Sequence, residues 1–115
     1  MNDFVSRAVA ALMLGIASFP VLPAEVWHTA YLLRVYPQAD GKVLLAFTSD
    51  HAQCSYSSSP KYHAITVGQN SVTADGLRAM QSAALTAYAM GRQVSVAFDD
   101  ATSNCYVNRL IIRES

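Results

Sequence analysis

The chain has no run of like charge, no Cys-x-x-Cys pair, no Gly-x-Ser-x-Gly elbow and no long uninterrupted apolar stretch. Each absence excludes something. Without a basic cluster there is no electrostatic footprint for nucleic acid. Without paired cysteine motifs the sequence offers no zinc-ribbon spacing, and His28, His51 and His63 are scattered, so neither a metal nor a cofactor is expected. Without the strained elbow, no serine is framed as a nucleophile. The longest charge-free apolar run, residues 8–17, falls short of the roughly 20 residues that span a bilayer.

That run has a different meaning. Met1 to Arg7 is a short polar head with one arginine, and Phe19-Pro20-Val21-Leu22-Pro23-Ala24 follows with helix-breaking prolines and a small residue. A basic head, a short apolar stretch and a small residue form the order of a secretory signal peptide. The expected cut is after Ala24, with Leu22 an unfavourable residue three positions before it. An uncleaved anchor and a buried first helix are the alternatives. The expectation is a secreted or periplasmic protein with a signal peptide over 1–24 and one domain over 25–115.

Such a small domain buries roughly 60–65% of its unfolded surface and benefits from a staple. Two cysteines remain, Cys54 and Cys105. In an oxidising compartment they are expected to form a disulfide, two separate buried thiols being the alternative. Acids and bases balance, at formal net charge +0. That suits an uncharged polar partner or another protein chain.

Hydrophobic periodicity places the elements. Val26–Tyr36 is rich in aromatic and β-branched residues and reads as a strand. Trp27, Thr29, Tyr31, Leu33 and Val35 fall on one face, and His28, Ala30, Leu32 and Arg34 on the other. Asp40-Gly41 supplies a tight turn into a second strand over Lys42–Ser49. A polar loop, Asp50–Pro60, leads to a third strand over Lys61–Val67. The period then lengthens: Ala74–Met90 reads as a helix, capped by Thr73 or Asp75 and closed by Gly91. Its buried stripe is expected to carry Leu77, Met80, Ala84 and Tyr88. Strands four and five follow over Arg92–Phe98 and Cys105–Arg113. The fold class is mainly β with one helix, in the order β-β-β-α-β-β. The five-stranded Greek-key barrel known as the OB-fold has this order, and a flat sheet with one helix across it is the alternative.

The outward face of the helix is short of charge. Arg78 is the only charge between Leu77 and Gly91; Ala79, Ser82, Ala83, Thr86, Ala89 and Met90 are small or neutral. A solvated helix normally shows Glu and Lys there. Ala79, Ser82, Ala83, Thr86 and Met90 are therefore candidates for a contact between subunits, against the plainer reading of an alanine-rich helix chosen for propensity.

Catalytic candidates are weak. Ser57, Ser58 and Ser59 lie in a loop near His51 and His63 with Asp50 beside them, no elbow frames a serine, and Asp99-Asp100 is a carboxylate pair in a turn, so an enzyme is not expected. Binding is better served. Tyr56, Ser57, Ser58, Lys61 and Tyr62 combine aromatic faces, hydroxyls and a cation, the set that stacks on and hydrogen-bonds to sugars.

Cys54, the run Ala83-Ala84-Leu85-Thr86-Ala87-Tyr88-Ala89-Met90-Gly91, the following Arg92-Gln93-Val94-Ser95-Val96, and Cys105 before a hydrophobic last strand resemble one known group. They are similar to the receptor-binding B subunits of AB5 toxins of the subtilase-cytotoxin, typhoid-toxin and pertussis-like group, and to their secreted relatives, over about residues 45–112. The resemblance implies an OB-fold subunit in a homopentameric ring whose helices line a pore. It also implies recognition of cell-surface glycans, often ending in sialic acid, beside a separate catalytic A subunit. Some members use a basic residue on the strand after the helix glycine. Here that position holds Ser95, with Arg92 at the strand's start, and both join the candidate glycan residues. The other reading is a monomeric or dimeric periplasmic OB-fold protein that binds a protein or small ligand with no toxin partner.

Overall fold

The computed structural model describes residues 25–114, and the expected signal peptide, residues 1–24, lies outside the described residues. The chain forms β1 (Glu25–Pro37), β2 (Val43–Phe47), β3 (Tyr62–Ile65), α1 (Ala74–Met90), β4 (Gln93–Asp99) and β5 (Val107–Ile112). All pairings are antiparallel, in one sheet of order β3-β2-β1-β4-β5. Among the described residues no helix is long and apolar enough to cross a membrane.

The long first strand serves two neighbours. Its first half, Glu25–Tyr31, pairs with β4, and its second half, from Leu32, pairs with β2. Between Leu32 and Arg34 the register shifts by a bulge. A bulge adds a residue on one strand and reverses which side chains face inward beyond it. Val26, His28, Ala30 and Leu32 are buried before the bulge; after it Val35 packs on the core and Arg34 is exposed. The simple alternation expected for this strand therefore fails at Leu33. Two-sided covering also explains β4, whose Val94–Phe98 are all buried. Its inward Val94, Val96 and Phe98 enter the core. Ser95 and Ala97 lie under neighbours on the other face, where Thr29 and Ile111 flank Ser95 and Trp27 and Arg109 flank Ala97.

The curled sheet brings its ends together. The Ala64 N–H on β3 donates to the Asn104 carbonyl just before β5, at 3.0 Å. Nearby, Cys54 and Cys105 are joined by a disulfide, with Cα atoms 5.6 Å apart and both residues buried. The bond ties the loop after β2 to the approach of β5. Leu45, Ile65 and Phe98 fill the interior. Each such side chain stabilises by roughly 1.5–3 kcal/mol over exposure.

The last strand starts later than its hydrophobic pattern predicts. Cys105 has φ 49°, a left-handed backbone that cannot continue a strand, so pairing begins at Val107. Strands two and three are likewise shorter than expected at both ends.

The helix packs on β1, β4 and β5. Thr73 caps it by accepting from the Gly76 N–H at 3.0 Å, while Asp75 in the first turn pairs with Arg78. Leu77, Ala84 and Ala87 are buried and Met80 packs on the core. Tyr88, expected in that stripe, is instead 54% exposed; Ala87 takes the inward place because its small side chain fits against the sheet. Ala79, Ser82, Thr86 and Met90 are exposed and Ala83 is half-buried. Gly91 ends the helix at φ 66°, its N–H bonded to the carbonyls of Ala87 and Tyr88. A Cβ there would meet nothing within 4 Å. Gly91→Ala is therefore expected to cost only the left-handed strain, about 1 kcal/mol, read as a lower urea midpoint with unchanged slope.

Candidate functional site

The bulge that turns Arg34 outward builds a groove. Leu33, Arg34, Val35 and Tyr36 of β1, Tyr62 of β3, and Leu85 and Tyr88 of the helix line a cleft of about 480 Å³. That lies within the range of small-ligand sites. The Tyr36 and Tyr62 rings are 6.3 Å apart, and Tyr56 stands edge-on to Tyr62 at 5.7 Å. The Arg34 guanidinium donates to the Tyr62 hydroxyl at 2.8 Å, across β2. No described carboxylate is ion-paired with Arg34. The groove thus offers ring faces, phenol hydroxyls and a guanidinium with N–H groups to spare.

The histidines that look scattered along the chain meet inside the fold. His28 and His63 lie parallel with ring centroids 5.9 Å apart, and His51 is edge-on to His28 at 5.4 Å. Phe47 and Phe98 close on His63 at 5.3 and 4.6 Å. The His28 Nε2 is 2.8 Å from the Ser49 carbonyl, whereas the His63 Nδ1 is buried with no hydrogen-bond partner. Burial, reinforced by the charges that His28 and His51 would carry, pushes the His63 pKa down to about 3. Burial also lowers that of His28, against the opposing pull of the Ser49 carbonyl. Both rings are neutral near pH 7.

The loop after β2 is stitched to itself. The Asp50 carboxylate accepts from the Lys61 N–H at 2.8 Å and the Ser59 hydroxyl at 2.7 Å, and these bonds hold its pKa below the usual carboxylate range. The Lys61 ammonium donates to the carbonyls of Cys54 (2.6 Å) and His51 (3.1 Å).

The residues expected to meet a glycan therefore divide. Tyr62 lines the groove and Tyr56 stands behind it. Ser57 and Ser58 are exposed in the loop, and Lys61 faces backbone carbonyls. Arg92 follows the helix cap, its N–H bonded to the Ala87 carbonyl. Ser95 lies on the outer sheet face, 2.6 Å from the Thr29 hydroxyl, in a separate shallow pocket with Trp27, Ile111 and Arg113. On the same face Arg109 lies over the Trp27 ring at 5.2 Å and pairs with Glu25. Of the groove residues only Tyr62 was a candidate from sequence; Leu33, Arg34, Val35, Tyr36, Leu85 and Tyr88 were missed. Tyr36, two residues after Arg34 in an apolar strand, was the one available signal for the β1 part.

Comparison of the chain with protein-family models, with curated proteins and with solved structures returns no match.

Proposed function

We propose that this chain is an exported, non-enzymatic binding subunit that holds a cell-surface glycan in the groove between Tyr36, Tyr62 and Tyr88. The groove carries the reading. Tyrosine faces cover the apolar side of a sugar ring, and phenol hydroxyls meet its oxygens. Arg34 supplies a planar, permanently charged fork for a carboxylate, which favours an acidic sugar such as sialic acid.

The same proposal includes an OB-fold barrel assembled as a homopentameric ring beside a catalytic A subunit. Two features support it: the helix placed between strands three and four, with Ala64 reaching Asn104 across the sheet ends, and the sparsely charged outer helix face of Ala79, Ser82, Thr86 and Met90.

A glycan array and the native mass of the exported protein test both parts. Retention of sialylated over desialylated glycans is expected, together with a mass five times that of the subunit. Tyr88→Ala and Arg34→Gln are each expected to weaken glycan binding by about tenfold or more, an interaction of roughly 1.4 kcal/mol or above, without changing the mass. Absence of glycan retention overturns the binding assignment. So does dissociation of the oligomer by Tyr88→Ala, because the groove would then be a subunit contact. A monomer overturns the ring.

A further inference from the structure

We propose that Cys54 and Cys105, once reduced, form with His63 a buried site for a soft, closed-shell metal ion, with monovalent copper as the ion that suits three ligands. The site is separate from the tyrosine groove and does not depend on the glycan reading.

Three donors already converge. One ring nitrogen of His63 and the two cysteine sulfurs all lie within 4.8 Å of one another, and the three residues are at most 1% exposed. The disulfide accounts for the closeness of the sulfurs but not for the imidazole beside them. Nor does it account for the buried His63 Nδ1, which has no partner. Leaving a buried polar atom unsatisfied is costly, and the His63 imidazole carries this one into the same interior as the two sulfurs.

The scaffold holds the three positions apart from the bond itself. His63 is fixed on β3 opposite Leu45. The Cys54 N–H bonds to the His51 carbonyl at 3.1 Å, and that of Cys105 to the Thr102 carbonyl at 3.4 Å. With Cα atoms 5.6 Å apart, the sulfurs can separate to ligand spacing by side-chain rotation.

The chemistry follows from the donor set. Thiolate and imidazole are soft or borderline ligands that select monovalent copper and zinc over magnesium or calcium. Structural zinc takes four protein ligands. Three donors among Phe47 and Phe98 leave a dry, trigonal site, which monovalent copper accepts and in which it is shielded from oxidation. Two thiolates and one such ion leave one negative charge, and the Lys61 ammonium, 2.6 Å from the Cys54 carbonyl, offsets it.

The step balances with a dithiol as reductant. The sulfur–sulfur bond breaks, each cysteine gains one electron and one proton, and the dithiol closes to its own disulfide. Metal binding then expels both thiol protons and leaves the charge of the ion unchanged.

The full exported chain, reduced by a dithiol in denaturant, refolded and freed of both without oxygen, is titrated with monovalent copper against a chromophoric chelator. One ion per chain is expected for the reduced form and none for the oxidised form. His63→Phe, whose oxidised form reports whether it folds, is expected to bind at least about 100-fold more weakly, at or beyond what loss of a supporting partner costs. X-ray absorption on the reduced wild type is expected to show two sulfur neighbours and one nitrogen. This holds the proposal to account even if the variant does not fold. Absence of copper binding by the reduced form, sulfur-only coordination, equal affinity in His63→Phe, or zinc bound more tightly than monovalent copper overturns it.

Discussion

Reduction of the Cys54–Cys105 bond is expected to lower the melting temperature by about 20 °C or more. The bond closes a loop with a sequence separation of 51 residues. On chain-entropy grounds, opening a loop of that size releases about 4 kcal/mol of constraint on the unfolded state. A domain of this size is stable by only about 5–15 kcal/mol, and each kcal/mol moves its Tm by about 4–8 °C. Because both cysteines are fully buried, the bond has to be opened in denaturant and the reduced chain refolded. Calorimetry of the two forms, with thiols counted, measures the effect. Cys54→Ala combined with Cys105→Ala is expected to lose at least as much, since it adds a cavity to the lost constraint. An unchanged Tm after complete reduction would show that the bond holds nothing.

Stability is also expected to fall on mild acidification, by about 2 kcal/mol between pH 7 and pH 5 from His63 alone. The sign follows from where the proton goes. The folded state keeps His63 neutral until about pH 3, while the unfolded chain binds a proton near 6.5. The unfolded state therefore holds more protons below pH 6.5. The contribution is intact above 6.5 and is lost progressively as the pH falls toward about 3. His28 is shifted in the same direction and adds to the slope. Asp50 acts elsewhere: its lowered pKa stabilises above its unfolded value of 3.8 and is lost only below it. Urea unfolding at a series of pH values separates the windows. His63→Phe, which keeps an aromatic ring between Phe47 and Phe98, is expected to flatten the curve between pH 6.5 and 4.5. A wild-type curve that is already flat there would mean that water reaches the ring.

Much of the architecture is written locally. The helix of Ala74–Met90 begins at a hydroxyl that can cap it and ends at a glycine that tolerates a left-handed turn, and both act over single turns of chain. The Asp40-Gly41 turn after β1, with Gly41 at φ 94°, is equally local. The cysteine pairing was legible for a different reason: with two cysteines there is one possible partner.

The site was not local, and most of it escaped. Trp27, Tyr31 and Leu33 look more core-like than His28 and Ala30, yet the histidine face turns inward and the aromatic face stays 43–48% exposed. Both faces of β1 carry apolar residues, so pattern alone does not choose between them. The choice is made by β4 and β2, which offer Val96 and Phe47 to the inner face, and by the bulge at Leu33.

Sequence by itself determined the elements, the helix ends and the cysteine bond, because propensity, capping and a lone pair of thiols act without reference to distant chain. Only the tertiary structure decided which face of β1 is core, that His28, His51 and His63 share one interior, and that Arg34, Tyr36, Tyr62 and Tyr88 share one groove. His28 and His63 lie 35 residues apart in the chain, and Tyr36, Tyr62 and Tyr88 are each 26 from the next. Strand register and one inserted residue, neither encoded by periodicity, bring them together.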